Sequence, residues 1–262
     1  MVKIDTKDYY LLKEEFIHDV SKYPLINSIL SGLQSGYVYS DTKREILIVM
    51  SRFGFTLISF KQVSLDVIEK VFRFLQENTE IPNYLHVYSP VDEFLNYIIK
   101  NYSQYKLRDR MQYRYIKKQC DSVEGKLPKG YKVKTLKETK QEELEALPLD
   151  LYSRYWDSKE DFYQHAIGIC IVDEDDSVAA ICYSAAYVDY MAEMDTLVLE
   201  KYRGKGLMRL VSEPFYNLAT SLNSDVHWDT FVDNVPSFIL GEKFSPNYKN
   251  RYKLLSIFFD RS

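Results

Sequence analysis

The run Arg203-Gly204-Lys205-Gly206-Leu207 limits the possible folds of this chain more than any other stretch. It joins a strand-like run, 194–199, to a helix-like run, 207–222, so two glycines stand where a helix begins. The start of a helix has about four main-chain N–H groups with no partner inside the helix. With the positive end of the helix dipole, those donors suit a phosphate or pyrophosphate. Glycine at 204 and 206 permits positive φ and lets the backbone come close to an anion. The spacing is not GxxxxGK[ST], because Lys205 lies between the glycines, and the loop comes late in the order of elements. A phosphate-bearing ligand is therefore expected at 203–208, in a fold other than that of the P-loop NTPases.

The surrounding pattern sets the fold class. After a strand at 131–136 come helices at 140–146 and 158–166. Strands at 167–172 and 178–187 follow, joined by an acidic turn at 173–176 that reads as solvated. A strand at 191–199 leads into the loop and its helix. Next come a strand at 226–231, a short helix at 236–243 and one or two closing strands at 248–259. Period-2 and period-3.6 patterns thus alternate, which predicts an α/β chain of the α+β kind with a mixed sheet.

Upstream, Leu25, Ile26, Ile29, Leu30 and Leu33 recur at helical spacing until Gly36. Strands are expected at 45–50 and 53–60, then a helix from an N-cap at Ser64 to residue 78. Its buried stripe would be Leu65, Ile68, Val71, Phe72 and Leu75. A strand at 84–88, a helix at 91–102 and a strand at 111–116 complete this half. The polar stretch 117–130 carries Gly and Pro and reads as a joint. It divides the chain into domains 1–125 and 126–262. The first is α/β without a phosphate loop, since its strand–helix joint at 61–64 has no glycine.

Composition excludes several classes. The 34 basic and 38 acidic side chains give a net charge of −4 with no long basic block, so binding to a nucleic acid backbone is not expected. No apolar run approaches the roughly 20 residues that span a bilayer, and the polar N-terminus does not read as a signal peptide. A cytoplasmic protein without membrane partners is expected. Cys120, Cys170 and Cys182 are scattered and give neither a disulfide framework nor a zinc pattern, and no metal is expected. His165 and His227 read as isolated structural histidines, and Cys182 as a small buried hydrophobe. Nothing in the sequence fixes an oligomeric state.

The loop in its strand–helix setting resembles the acetyl-CoA loop of the GCN5-related N-acetyltransferases, whose pattern is Arg/Gln-x-x-Gly-x-Gly/Ala. Arg203 fills the first position and Gly206 the fourth, while Met208 stands where the family has Gly or Ala. Downstream, Trp228-Asp229-Thr230, Asn234, Ser237 and the helix end 240–244 are similar to one branch of that family. The branch includes a zwittermicin A resistance acetyltransferase and related two-part bacterial proteins. Thr230 replaces its Cys, and Lys243 stands where it has Gly. The resemblance covers 131–260, and more loosely the whole chain.

The resemblance implies that 126–262 has the acyl-CoA N-acyltransferase fold and that 1–125 is a diverged half of the same architecture. Acetyl-CoA would be the co-substrate, and a primary amine of a small molecule or peptide the acceptor. The strand before the loop would splay from its neighbour, so that backbone around Leu197, Val198 and Leu199 binds the pantetheine arm. Amides of Arg203, Gly204, Lys205, Gly206, Leu207 and Met208 would hold the pyrophosphate, with the Arg203 side chain nearby. Asn234 and Ser237 would flank the far side.

An amine must lose a proton before it attacks, so a general base is required. Glu193 and Asp195 lie two apart on one strand and share a face; Glu193 is the first candidate and Asp195 the second. Tyr248 is the candidate proton donor to the departing thiolate. The alternative is a non-catalytic acyl-CoA-binding or sensing module, suggested by the bulk of Met208.

Overall fold

The computed structural model describes residues 1–145, 147 and 153–261. They form two compact units. One comprises Met1–Met111, Phe231–Asp233 and Arg251–Ser262; the other comprises Gln112–Thr230 and Asn234–Asn250. The polar stretch 117–130 lies within the second unit.

The first unit begins with β1 (Val2–Lys3) and three short helices, α1 (Tyr9–Glu15), α2 (Ile17–Val20) and α3 (Pro24–Leu30). Strands β2 (Gly36–Ser40), β3 (Ile46–Ser51) and β4 (Phe55–Phe60) form an antiparallel meander. Helix α4 (Leu65–Glu77) then crosses over to β5 (Tyr84–Tyr88), which is parallel to β4. Helix α5 (Asp92–Asn101) and the first part of β6 (Tyr105–Tyr115) follow.

The Ser64 hydroxyl accepts from the Val67 amide and caps α4 as expected. Ile68, Val71, Phe72 and Leu75 are buried in the core cluster. Leu65, expected with them, is 61% exposed because it sits at the first helical position, ahead of the part of α4 that lies on that cluster. Gly36 does more than end a helix: it starts β2. A side chain there would press on the Met50 carbonyl across the ladder, with its Cβ at 2.6 Å.

The second unit carries β7 (Lys132–Thr135), α6 (Gln141–Glu145), α7 (Lys159–His165), β8 (Gly168–Val172), β9 (Val178–Val188) and β10 (Met191–Val198). Ala146, expected in the first of these helices, lies outside the described residues. Helix α8 (Leu207–Ser221) leads to β11 (Asp225–Phe231), and α9 (Val235–Lys243) to β12 (Tyr248–Phe258). Strands β7, β8, β9 and β10 pair antiparallel in that order, and β11 joins β10 in parallel through the α8 crossover. This is the mixed α/β arrangement that the sequence implies.

Helix α8 packs on β8, β9 and β10 through a buried face that includes Leu207, Val211, Phe215 and Ala219. Helix α9 is held from below by two tyrosines of β6. The Tyr115 hydroxyl donates to the Gly241 carbonyl at 2.8 Å and the Tyr113 hydroxyl to Glu242 Oε1 at 3.0 Å. A Cβ at position 241 would lie 2.4 Å from the Tyr113 ring, so only glycine lets α9 seat this closely. That seating fixes where the N-terminal end of α9 stands.

Candidate active site

Strands β10 and β11 stay in register for three residues only: Met191 with Asp225, Ala192 with Val226 and Glu193 with His227. Beyond Glu193 the ladder stops, although β10 continues to Val198 and remains paired with β9. The strands therefore part at Glu193 and leave a main-chain edge open. Opposite this point β9 carries one extra residue, since Glu193 faces Ala186 while Met194 faces Ser184. Such a bulge bends its strand, and bulges concentrate beside functional sites.

The register tells which residues present their backbone to the opening. The Leu199 amide donates to the Ala179 carbonyl at 3.0 Å. In an antiparallel ladder hydrogen-bonded pairs alternate with unbonded ones, so Leu199 and Leu197 turn to β9. Thr196 and Val198 turn the other way, towards the gap. The Thr196 amide is met by its neighbour's carboxylate, Asp195 Oδ1, at 2.8 Å. Of the three residues expected to offer backbone groups, Val198 alone does so; Leu197 contributes to the pocket wall, and Leu199 is not part of it.

A pocket of about 600 Å³ fills the gap. Thr196, Leu197 and Val198 line one side, the loop residues Arg203, Gly204, Gly206, Leu207 and Met208 the end, and Asn234, Pro236 and Ser237 the other side. Both loop glycines have the expected positive φ, +79° at Gly204 and +72° at Gly206, and open space lies where their side chains would be. The amides of residues 204–208 meet no acceptor among the described residues, whereas the Arg203 amide is taken by the Glu200 carbonyl at 3.1 Å. Five donors at the positive end of α8 thus stay available for an anion. The Arg203 side chain is exposed and has no carboxylate partner among the described residues. Ser237 is buried on the first turn of α9. These features fit a phosphate-linked ligand.

Lys205 points elsewhere. Its Nζ donates to the Tyr131 hydroxyl at 2.7 Å, over a pair of edge-on rings formed with Tyr202. Sequence reasoning missed Tyr202, which lines the pocket and donates its hydroxyl to Asp173 Oδ2 at 2.5 Å. That bond holds the Asp173 carboxyl below the usual carboxylate range. The acidic turn at 173–176 is therefore not merely solvated: Asp173 ties it to the loop, and Asp176 receives Lys134 at 2.6 Å. Thr196 and Pro236 were missed as well; the alternation with Val198 and the first-turn proline of α9 were the available signals.

The two candidate bases differ in surroundings. Asp195 Oδ2 accepts from the buried Tyr183 hydroxyl at 2.9 Å and lies 3.5 Å from Arg154 Nη1, while Oδ1 holds the Thr196 amide. Burial, then the Asp195 charge, pushes the Tyr183 hydroxyl well above its ordinary range. Asp195 is thus tied up in shaping β10. Glu193 is half-buried at the last paired position, where the strands part. Tyr248 is 53% exposed and is not among the residues lining the pocket.

His227, the register partner of Glu193, is 5% exposed, and neither ring nitrogen has a hydrogen-bond partner among the described residues. Burial, with the Arg114 cation nearby, holds its imidazole down to about 4, against some opposition from Asp225. The unfolded chain titrates near ~6.5. Between these values the unfolded state takes up a proton that the folded state refuses, so stability is complete above the upper limit and falls as pH drops through the window. Denaturant titrations at pH 7 and pH 5 should differ by about 2 kcal/mol on this account. His227→Gln should flatten the difference; an unchanged pH slope in that variant would refute the assignment.

Among the described residues, no three His, Cys, Asp or Glu side chains gather as metal ligands, and no helix is long and apolar enough to cross a membrane. Comparison with known proteins adds to this geometry. The profile of the GNAT acetyltransferase family matches residues 14–255. The chain is 25% identical over 248 residues to an uncharacterized N-acetyltransferase, YdfB, of Bacillus subtilis (strain 168), with 92% of each chain covered. A solved GCN5-related N-acetyltransferase-like protein from Streptococcus suis 89/1591 matches with a TM-score of 0.67 at 18% identity, over 95% of this chain and 99% of its own. A tandem GNAT protein from the clavulanic acid biosynthesis pathway matches with a TM-score of 0.66 at 12% identity, over 100% of this chain and 98% of its own.

Proposed function

We propose, for a chain that belongs to the GNAT acetyltransferase family, transfer of an acetyl group from acetyl-CoA to a primary amine of a small molecule or peptide. Membership makes the protein an acyltransferase; the donor and the acceptor are our reading. One observation carries it: the open edge of β10, the residues Gly204, Gly206, Leu207 and Met208, whose amides meet no acceptor among the described residues, and Arg203, which has no carboxylate partner among them, line a single pocket.

In this reading the amides of 204–208 and the Arg203 guanidinium hold the pyrophosphate. The pantetheine arm lies along β10 and takes the main-chain groups of Val198, as an added strand would. Asn234 and Ser237 bound it on the far side. Residues 126–262 form the acetyltransferase domain, and 1–125 a half of the same architecture without the loop; the match to a tandem protein supports that layout.

The bound thioester supplies the activated acyl group. Glu193 takes the proton from the acceptor ammonium, and the freed nitrogen lone pair attacks the thioester carbonyl. Charge on that oxygen is steadied by a main-chain amide of the parted strand. The C–S bond then breaks and the thiolate leaves, and the proton still in excess on the former amine nitrogen passes to it, leaving a neutral amide and the free thiol. With Tyr248 on the surface no protein acid is assigned to this step, and none is required: an ordinary thiol ionises near ~8.5, so its anion is a tolerable leaving group at neutral pH.

Calorimetry with acetyl-CoA and ATP side by side tests the binding half. Acetyl-CoA should bind and ATP should not, and a panel of primary amines should then release CoA. Binding without release from any amine would favour the sensing module, and absence of acetyl-CoA binding would sink the reading altogether.

A further inference from the structure

The two faces of β10 have different neighbours. Thr196 pairs with Cys182, whose thiol meets the Ser212 hydroxyl of α8. Asp195 pairs with Tyr183, which belongs to a core cluster with Trp156 and with Phe162 of α7. Alternation puts Glu193 on the Asp195 face, away from α8. On that face Arg154 stands out. Its side chain is 39% exposed, and Nη1 lies 3.5 Å from Asp195 Oδ2. The guanidinium carbon lies 5.3 Å from the centre of the Tyr155 ring. Among the described residues the guanidinium makes this ion pair and this ring contact but donates no hydrogen bond. Asp195 is itself held by the Thr196 amide and the Tyr183 hydroxyl. It therefore fixes one edge of the guanidinium and leaves the fork of donors for another acceptor. That fork matches a carboxylate bidentately.

The spacing along β10 bears on which carboxylate. Glu193 and Asp195 are two residues apart on an extended strand, a step of about 6.5–7 Å, and Arg154 stands beside the second of them. One residue spans at most about 3.6 Å and two span about 7 Å. The amine and carboxylate of a single α-amino acid are too close together to reach both positions. We propose that the acceptor is an amino carboxylate whose two charged ends stand about 7 Å apart, as in a dipeptide or an ω-amino acid such as 5-aminopentanoate, and that Arg154 selects it by the carboxylate. The inference rests on the reading of Glu193 as the base that receives the amine.

The test is steady-state kinetics of the full chain with acetyl-CoA and two matched pairs of acceptors. One pair is 5-aminopentanoate and 5-aminopentanamide, the other glycylglycine and glycylglycinamide; each differs only in the carboxylate. In the wild type kcat/KM should favour the carboxylate about tenfold to a hundredfold, as expected of a hydrogen-bonded contact between charged groups. Glycine should show no such advantage over glycinamide. Arg154→Ala should bring the ratio near one through a higher KM for the carboxylate. Arg154→Lys, which keeps the charge without the fork, should hold an intermediate ratio. A merely structural role would lower both members of a pair alike and leave the ratio where it was. The pair with the higher kcat/KM tells a peptide acceptor from an ω-amino acid.

Equal rates within both pairs in the wild type would overturn the proposal and spare the acetyltransferase reading. So would a preference that survives Arg154→Ala, the same advantage for glycine, or turnover of other amines but of neither carboxylate. If no amine at all releases CoA, the reading of Glu193 fails first and takes this inference with it.

Discussion

Replacement of Glu193 by Gln should lower kcat about a hundredfold or more while leaving acetyl-CoA affinity within about twofold, because a positioned general base contributes roughly 10²–10⁴ to the rate. The substitution keeps shape and hydrogen-bonding capacity but removes the proton acceptor. Single-turnover kinetics on pre-bound acetyl-CoA would separate this from a binding defect. Asp195→Asn is the control. Asparagine still offers an oxygen to the Tyr183 hydroxyl or the Thr196 amide but loses the charge that faces Arg154. That variant should lose stability before it loses turnover. Full activity in Glu193→Gln with normal binding would remove Glu193 from the chemistry.

Gly206→Val should raise the acetyl-CoA Kd about tenfold to a hundredfold. The residue has φ +72° at the N-terminal boundary of α8, where a β-branched side chain is strained. The left-handed conformation costs about 1–2 kcal/mol without glycine, so the loop is expected to relax. Relaxation turns the amides of 206–208 away from a common point, and a hydrogen bond to a charged group is worth about 1.5–3 kcal/mol. A single such loss gives the stated change in Kd. Among the described residues nothing lies within 4 Å of the Cβ that a substitution would add there. Any loss of affinity therefore reports the loop path rather than a clash in the core. Wild-type affinity in both Gly206→Val and Arg203→Ala would show that the anion is held elsewhere.

The loop was legible in the sequence because all its determinants are local: two glycines, a preceding strand and a following helix. Both positive φ values and the free amides follow from that run alone. The roles of neighbouring residues were less legible, because they depend on partners far away in the chain. Glu193 and Asp195 look equivalent by alternation, and nothing local announces that Tyr183 and Arg154 engage Asp195. Leu197, Val198 and Leu199 also look alike, and only the register against Ala179 shows which of them turns to the gap. Lys205 enters the sequence reading through its amide alone, and nothing local shows that its side chain reaches Tyr131.

In the first unit the helices α1 and α2 escaped detection, since seven and four residues are too few for a 3.6-residue period to stand out. The return of β12 to pair with β5 has no local mark at all.

A site that recognises its ligand through main-chain donors places unusual freedom on the sequence. Every residue type except proline carries the same amide, so identities along β10 and the loop can drift as long as the path of the chain persists. Met208 in place of a small residue and Thr230 in place of a cysteine are tolerable in those terms. A structural relative only 18% identical can follow the same course from end to end. Inheritance here acts on the trace of the backbone, and its lettering is rewritten around the few positions where only glycine can turn.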